Sequence, residues 1–347
     1  MRRFGLIPAP FQEGAQKIAD ALKRSDRVLI SGHVNADGDS VASLTAGGLI
    51  LRALGKQFAL YAAGIPDYLS FVSLPGAVYS SLRHIPFIPQ SALIVDCSDT
   101  GRMNAELAGR LPDLAVINVD HHIGSNGLGA ANWIQPEAAA TAQLMAYVAL
   151  ACDLPLVGEL ADAVAVGLVS DTGGFSHGNT DKHVFSLAAC LASGGCDIPQ
   201  LRENLEANWT LGQMRLWSRL MRRACLLHNG AIAFCNVHLR DFRECGTAIE
   251  HLEGFVEQLR RLRGVRIAAL LREDKPGMHK YSLRSFGSTN VQAIAARLNG
   301  GGHTNAAGGT LYASPGQAKK LLLAAITRQL DSEESPTLPP CSSDIPQ

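Results

Sequence analysis

Charge of one sign is missing from this 347-residue sequence, because 31 Lys and Arg are matched by 31 Asp and Glu. A chain that coats long polyanions without sequence preference needs a strong positive field, so that class is excluded, although a local basic groove is compatible with the balance. Long apolar runs are missing too. Val41–Leu54 and Ala138–Cys152 are broken by Gly, Ser, Arg, Thr or Gln, and neither approaches the roughly 20 apolar residues of a bilayer span. The segment Met1-Arg2-Arg3-Phe4-Gly5-Leu6 runs into Pro8, Pro10, Gln12 and Glu13 without the apolar core of a secretory signal. A cytoplasmic protein with no membrane segment is expected. No Cys-x-x-Cys pair occurs among the eight cysteines, at 97, 152, 190, 196, 225, 235, 245 and 341. Several lie in apolar runs, which predicts reduced thiols filling the core. No solenoid-type repeat is present.

What is present is a 47 % hydrophobic fraction over a length suited to about two domains. From Arg27 to about Ile198, short apolar runs (Arg27–Ser31, Phe58–Ala63, Ala92–Val95, Ala115–Val119) alternate with helical stretches (Ser40–Leu54, Ala138–Ala151, Leu160–Val169, His183–Ala192). That alternation predicts an α/β domain whose mostly parallel sheet carries helices on both faces. Leu201–Leu227 reads as a helical connector without a strand. Beyond it, strands at Ala231–Val237, Val265–Arg272 and Lys280–Phe286, with helices at Phe255–Leu262, Val291–Leu298 and Gly316–Leu330, predict a smaller α/β domain with a mixed sheet. The expected division is 1–200, a connector over 201–227, a second domain over 228–330, and a disordered tail over 331–347 that is too poor in apolar residues to fold.

In open α/β sheets, ligands collect beyond the carboxyl ends of the strands. Here those ends read Gly32-His33-Val34-Asn35-Ala36-Asp37-Gly38-Asp39-Ser40, Asp96-Cys97-Ser98-Asp99 and Asp120-His121-His122, and a later apolar helix ends in Ser170-Asp171-Thr172-Gly173-Gly174. Singly each is ordinary: Asp39 or Ser40 would serve as an N-cap, and tandem histidines are common in cores and on surfaces. Together His33, Asp37, Asp39, Asp96, His121 and Asp171 would crowd one sheet edge, where carboxylates repel unless a cation compensates them. Four Asp and two His without Cys suit hard or borderline ions, Mn²⁺ first, with Mg²⁺, Fe or Co as alternatives. If one carboxylate bridges, six ligands can hold two ions about 3.5–4 Å apart. Such a pair stabilises the entering and leaving oxygens of phosphoryl transfer and makes hydroxide available near neutral pH, which points to phosphate-ester hydrolysis.

Further on, Gly300-Gly301-Gly302-His303 either stops a helix at Asn299-Gly300 or lets backbone N–H groups approach an anion. Three glycines followed by His exceed what a stop requires, and Arg284 offers a fork suited to phosphate. Trp209 and Trp217 could stack bases, although their place in the connector favours packing. His177 and His183 lie near Asp171 in sequence and are read as ordinary loop and helix residues.

His33-x-x-x-Asp37-x-Asp39-Ser40, Asp96-x-x-Asp99, Asp120-His121-His122 and Asp171-Thr172-Gly173, in that order, resemble the DHH phosphoesterase family. Ser282-Leu283-Arg284-Ser285, with the glycine run and Ala306-Ala307-Gly308, resembles the family's associated substrate domain, so the resemblance covers about Arg27 to Leu330. Members often have Pro where Ala36 stands. The resemblance implies His33 and Asp37 on one metal, Asp39, His121 and Asp171 on the other, and Asp96 bridging. It implies that Asp120 orients His121 and that His122 donates to a non-bridging phosphate oxygen or to the leaving group. Asp99 either holds Arg102 or caps the next helix. Arg284, Ser285, Gly301, Gly302 and His303 would grip a terminal phosphate or its nucleotide, a span that favours very short substrates.

The chain has no room for the extra oligonucleotide-binding domain of the family's single-strand exonucleases or for the membrane and sensory segments common in its cyclic-dinucleotide phosphodiesterases. Its glycine run sets it apart from type II pyrophosphatases. What remains is similar to the compact oligoribonuclease/pAp phosphatases, or nanoRNases. These features imply a phosphodiesterase that cuts dinucleotides such as pGpG or pApA to mononucleotides with water activated by two cations, Mn²⁺ before Mg²⁺, and that also dephosphorylates 3′-phosphoadenosine 5′-phosphate. Cyclic-dinucleotide hydrolysis, single-strand exonuclease activity and a non-catalytic nucleotide sensor are the alternatives. The expected partners are short oligonucleotides or nucleotides held in a cleft between the domains, not a membrane or long duplex DNA, with the chain acting alone or as a homodimer.

Overall fold

Short strands of Val, Leu and Ile with no polar face must be covered on both sides. A strand that meets this in full, β1 (Val28–Ser31, all four residues buried), lies inside its sheet rather than at an edge. The computed structural model describes residues 7–207 and 209–334 and divides into two units, Met1–Asn208 and Trp209–Gln347. In the first unit β1, β2 (Phe58–Tyr61), β3 (Val78–Tyr79), β4 (Ser91–Val95), β5 (Ala115–Asp120) and β6 (Ala131–Ile134) form one sheet in the order β3-β2-β1-β4-β5-β6. Every neighbouring pair is parallel. Strand order reverses between β1 and β4, the place where a doubly wound sheet opens a crevice at its carboxyl edge.

Among the described residues seven α-helices accompany this sheet: α1 (Ala9–Arg24), α2 (Gly38–Ala53), α3 (Ala105–Ala108), α4 (Thr141–Ala151), α5 (Gly158–Asp171), α6 (Lys182–Ser193) and α7 (Ile198–Glu206). The sequence reading lacked α1, α3, β3 and β6. The signal for α1 is nevertheless present, since Pro8 precedes it and Phe11, Ala15, Ile18 and Leu22 form its buried stripe. Every residue of α4 is buried, as is α2 from Gly38 to Leu51, which explains their lack of an amphipathic pattern.

The segment expected as one strand-free connector is interrupted. After α7 the chain enters α8 (Leu211–Arg223), whose start is capped by the Thr210 hydroxyl, and then β7 (Cys225–Leu227). Being a three-residue edge strand that is largely exposed, β7 is too short to separate by pattern from the helix before it, even though Cys225, Leu226 and Leu227 are apolar. It pairs antiparallel with β8 (Ile232–Val237). After α9 (Leu239–Cys245) and α10 (Phe255–Arg260) come β9 (Ile267–Lys275), β10 (Met278–Ser285), α11 (Val291–Arg297), β11 (Gly301–His303), β12 (Ala306–Tyr312) and α12 (Pro315–Glu334). The second sheet runs β11-β12-β10-β9-β8-β7 and is mixed, with β8 and β9 parallel and the other pairs antiparallel. Tyr281, Leu283, Ile294, Leu322 and Ile326 share one core cluster, and Trp217, Leu220, Phe242, Phe255 and Leu270 share another.

Helix α12 continues past Leu330 to Glu334, and Arg266 pairs with Glu333 there, so the first four residues of the expected tail are helical. The rest of that tail, with Cys341, lies outside the described residues. Cys97, Cys152, Cys196 and Cys235 are buried as expected, but Cys225 is exposed because it sits on edge strand β7. Among the described residues no disulfide forms, and no single helix is long and apolar enough to cross a membrane.

Close helix packing sets the geometry of the first unit's carboxyl edge. A Cβ on Gly167 of α5 would stand 2.4 Å from the Ala142 Cβ of α4 and 2.6 Å from Asp39 Oδ1 of α2. Gly167→Ala therefore sets an overpacking cost of about 1–3 kcal/mol against a helix-propensity gain of about 1 kcal/mol, and a lowered Tm is expected. Gly316→Ala, in open space at the start of α12, should melt at or above the parent. Equal melting of the two variants would refute the close-packing account.

Candidate metal centre

The loop after β1 is pinned by the Val34 N–H, which donates to the Arg102 carbonyl at 2.8 Å. Asp37, not Asp39 or Ser40, is the N-cap of α2: its Oδ1 accepts from the Ser40 N–H at 3.1 Å. The other oxygen, Oδ2, lies 3.7 Å from His33 Nε2. Asp39, in the first turn of α2, is fully buried and caps a different helix. Its carboxylate accepts the N–H groups of Thr141 at 2.6 Å and Ala142 at 2.9 Å, the first N–H groups of α4, whose own cap position is Ala140 with no side chain to offer. Asp96 ends β4 with φ 54°, a left-handed conformation that Asp tolerates better than most residues. It turns its carboxylate into the cluster, where the Thr141 hydroxyl donates to it at 3.1 Å. Asp171 is the last residue of α5.

The six residues expected to ligate metal do converge. Asp96 Oδ2 is 3.4 Å from His33 Nε2, while Asp96 Oδ1 is 3.7 Å from His121 Nε2. That places one carboxylate oxygen toward each half of the cluster. His121 Nε2 also lies 3.2 Å from Asp171 Oδ2 and 3.8 Å from Asp39 Oδ2. Two groups, His33–Asp37–Asp96 and Asp39–His121–Asp171, each bring three ligand atoms within 4.8 Å of one another, and a third joins Asp96 and His121 to His122. His33 Nε2 is buried without a hydrogen-bond partner, an arrangement that a coordinated cation satisfies. Oxygen and imidazole donors of this kind fit divalent ions.

Electrostatics lead to the same conclusion. Burial alone would depress His33, but the Asp37 and Asp96 carboxylates outweigh it and hold it up at about 9. His121 is likewise raised against burial, to about 10, by Asp171, Asp39 and Asp96. Burial pushes Asp39 well above the carboxylate range, and repulsion from Asp96 and Asp171 adds to it. Asp171 is raised mainly by burial as well. Burial opposes Asp37 too, yet the His33 contact holds it below the usual value. Without metal, the positive charge the carboxylates require comes from protons on the two imidazoles.

One implied contact is corrected. Asp120 does not reach His121; its Oδ1 accepts from His122 Nδ1 at 2.7 Å and from the His122 N–H at 3.3 Å. An Asp side chain folds readily onto the backbone two residues ahead, and the His122 ring follows. His121 is oriented instead by its Nδ1 against the Ala138 carbonyl at 3.2 Å, which leaves Nε2 facing the carboxylates. His122 Nε2 faces Arg102 Nη1 at 3.3 Å. Of its two alternatives Asp99 takes the capping role, accepting from the Gly101 and Arg102 N–H groups at 2.7 and 3.2 Å. His177 is exposed with its Nδ1 3.2 Å from the Asp171 carbonyl, and His183 packs edge-on against Phe11. Thr141, Ala138 and Arg102 were missed as site residues. The readable clue to the first two was Ala138-Ala139-Ala140, a helix start with no capping side chain of its own.

In the second unit, Arg284 Nε donates to Glu257 at 2.6 Å and Nη1 to the Leu283 carbonyl at 3.1 Å, which leaves Nη2 uncommitted among the described residues. Ser285 is buried, donates to the Thr289 carbonyl at 2.6 Å and accepts from the Asn305 amide at 2.9 Å, so its hydroxyl secures the 286–290 loop. The glycine run divides its tasks. Asn299 adopts φ 57°, and the N–H groups of Asn299 and Gly300 reach back to Ala296 and Ala295, the Schellman pattern of a helix stop. A Cβ on Gly300 would meet Tyr281 Oη at 2.3 Å and one on Gly302 the Ala306 carbonyl at 2.5 Å, whereas Gly301 has open space. Gly301, Gly302 and His303 form the exposed edge strand β11.

Residues 27–168 match the family model "DHH family, N-terminal domain" and residues 242–332 match "DHHA1 domain". The chain is 30 % identical to the bifunctional oligoribonuclease and PAP phosphatase NrnA of Thermus thermophilus, over 94 % of this chain and 98 % of that one. It is 28 % identical to the cyclic-di-AMP phosphodiesterase PdeA of Listeria monocytogenes, over 90 % of this chain but 49 % of that protein. Its fold is similar to the crystal structure of an exopolyphosphatase-related protein from Bacteroides fragilis, with TM-score 0.83 and 22 % identity over 93 % of this chain and 98 % of that one.

With His33 held at about 9 and His121 at about 10, both imidazoles carry a proton at pH 7 that a metal must displace. Divalent-metal affinity should therefore rise as pH increases from 6 toward 9, and loading should release protons. Calorimetry in buffers of different ionisation enthalpy reads the number, and uptake that releases no protons at pH 7 would contradict the charge assignment.

Proposed function

The chain belongs to the DHH phosphoesterase family, and from that premise we propose that its metal centre hydrolyses very short oligonucleotides, dinucleotides above all, to mononucleotides and removes the 3′-phosphate of 3′-phosphoadenosine 5′-phosphate. The observation that carries this reading is Asp96, whose two oxygens face separate ligand groups, His33 on one side and His121 on the other. His33, Asp37 and Asp96 would hold one divalent cation, Mn²⁺ in this reading, and Asp39, His121 and Asp171 a second, with Asp96 shared. When bound, such a pair supplies positive charge for the phosphate oxygens and lowers the pKa of water. The likeness to the Thermus oligoribonuclease and PAP phosphatase, which shares nearly its whole length with this chain, supports linear short substrates. The match to the Listeria phosphodiesterase spans only 49 % of that protein and supports cyclic dinucleotides less.

The remaining chemistry belongs to the chain's own side chains. Asp120 holds His122 through Nδ1 at 2.7 Å, so the ring can gain and lose a proton only at Nε2, the atom facing Arg102. Protonated there, His122 gives its hydrogen to a phosphate oxygen or the departing hydroxyl, while Asp120 stabilises the imidazolium as the carboxylate of a catalytic triad does. Retention of every ligand argues against a sensor that has lost catalysis. Arg284, with Nη2 uncommitted, and His303 are proposed to hold substrate phosphate.

A turnover panel of pApA, pGpG, cyclic dinucleotides, a 24-mer and 3′-phosphoadenosine 5′-phosphate, with and without Mn²⁺, tests this reading. Linear dinucleotides should be fastest, and a preference for the cyclic compounds or the 24-mer would overturn it. Asp96→Asn should lower kcat by about 10³-fold, about 4 kcal/mol of barrier, and His122→Asn by about 10²–10⁴-fold. Arg284→Ala should slow the dinucleotide more than the 24-mer; unchanged relative rates would remove Arg284 from the substrate site.

A further inference from the structure

Helix α8 carries four arginines and no acidic residue. Arg223 is committed to Asp241, and Arg219 to Asp241 and Glu244. Arg215 and Arg222 have no hydrogen-bond or ion-pair partner among the described residues, and with Ser218 they form one stripe at helical spacing. On either side of that stripe lie two adjoining hollows. One, of about 530 Å³, is lined by Trp209, Trp217, Ser218, Met221, Arg222 and Gln258. The other, of about 420 Å³, shares Ser218 and Arg222 and adds Leu211, Met214 and Arg215.

The walls of the larger hollow are of two kinds. Trp217 is fixed, because its Nε1 donates to the His251 carbonyl at 2.8 Å and its ring packs edge-on against Phe255. Trp209 leans on it with ring centroids 4.3 Å apart, yet 47 % of Trp209 remains exposed. A large indole half in solvent, beside an exposed Met221 and an unpaired guanidinium, is unusual on a surface that meets only water. The Gln258 side-chain amide is also without a partner among the described residues and can offer both a donor and an acceptor. Aromatic face, adjacent cation and an amide for edge contacts are the elements that recognise a nucleobase with its phosphate.

We propose that this hollow binds one base of a single-stranded oligonucleotide, with Trp209 stacking on the base and Arg222 and Arg215 holding its phosphates. The site lies wholly on the second unit and is separate from Arg284 and β11. It rests on the reading of the chain as an oligonucleotide hydrolase and gives that substrate class a second point of contact. Charge complementarity selects the occupant. A second copy joined through the same face would set Arg215 and Arg222 against themselves, whereas a polyanion neutralises them. A hollow walled by two touching indoles, one with a face in solvent, suits a planar base better than the convex apolar ridge with which an amphipathic helix enters lipid.

The test uses the full chain loaded with Mn²⁺ and a fluorescent phosphorothioate pentaadenylate, which resists hydrolysis, with binding followed by anisotropy. Trp209→Ala should weaken binding by about 5- to 150-fold without lowering Tm, since the side chain is half exposed. Arg222→Ala should weaken it and reduce the slope of log K against log salt by about 0.7, the loss of one single-strand phosphate contact. Unchanged affinity and slope in both variants would overturn the proposal. So would Trp209-dependent binding to phosphatidylglycerol vesicles without pentaadenylate binding, or a Trp209→Ala change confined to oligomeric state. If the parent binds pentaadenylate through Trp209 and Arg222 but turns over no short oligonucleotide, this site stands and the proposed reaction fails.

Discussion

The carboxyl group of Asp39, fully buried beside His121 and bonded by the first N–H groups of α4, is the constraint around which the first unit is organised. Taking such a charge out of water costs several kcal/mol even after the surroundings relax. Two backbone N–H groups at a helix N-terminus offset part of that cost, each charge-assisted bond contributing about 1.5–3 kcal/mol, and the helix dipole adds to it. The same bonds complete a helix whose own cap position is Ala140. Neither α2 nor α4 is satisfied alone, so the two are locked at the sheet's carboxyl edge. Helix α5 closes over them only because Gly167 leaves room for the Asp39 oxygen.

That lock explains why the remaining ligands converge. The strands adjacent at the point of reversal are β1 and β4, with β5 next to β4, so three consecutive carboxyl ends deliver His33, Asp96 and His121 into one crevice. Asp96 accepts a left-handed backbone, at a cost of about 1–3 kcal/mol, in order to face both halves of the cluster. His121 and His122 are adjacent in sequence but take separate partners, the Ala138 carbonyl and the Asp120 carboxylate. One imidazole thereby turns Nε2 to the carboxylates and the other turns Nε2 toward Arg102.

The second unit is built on ordinary packing, and its polar features are correspondingly harder to read. Ser285 and two of the three glycines in the run serve local structure, while Gly301 and His303 stay on an exposed edge strand. On its α8 side, salt bridges neutralise two arginines of a four-arginine helix and leave two without partners among the described residues. Function there depends on which side chains are left over after the fold has been satisfied.

Strand periodicity, apolar runs and the residue types at the strand ends were enough to place β1, β4, β5 and the convergence of His33, Asp37, Asp39, Asp96, His121 and Asp171, because a parallel sheet sends its ends to one edge whatever the loops do. Edge elements such as β3, β6 and β7 escaped because short, half-exposed strands bury too little to leave a pattern. Tertiary contacts alone decided that Asp120 orients His122, that Asp37 rather than Asp39 caps α2, and that Thr141 and Ala138 belong to the centre. Each of those choices is a hydrogen bond whose partner is fixed by loop geometry or lies about a hundred residues away on another helix. Sequence spacing specifies which chemical groups are available, and only packing in three dimensions specifies which of them meet.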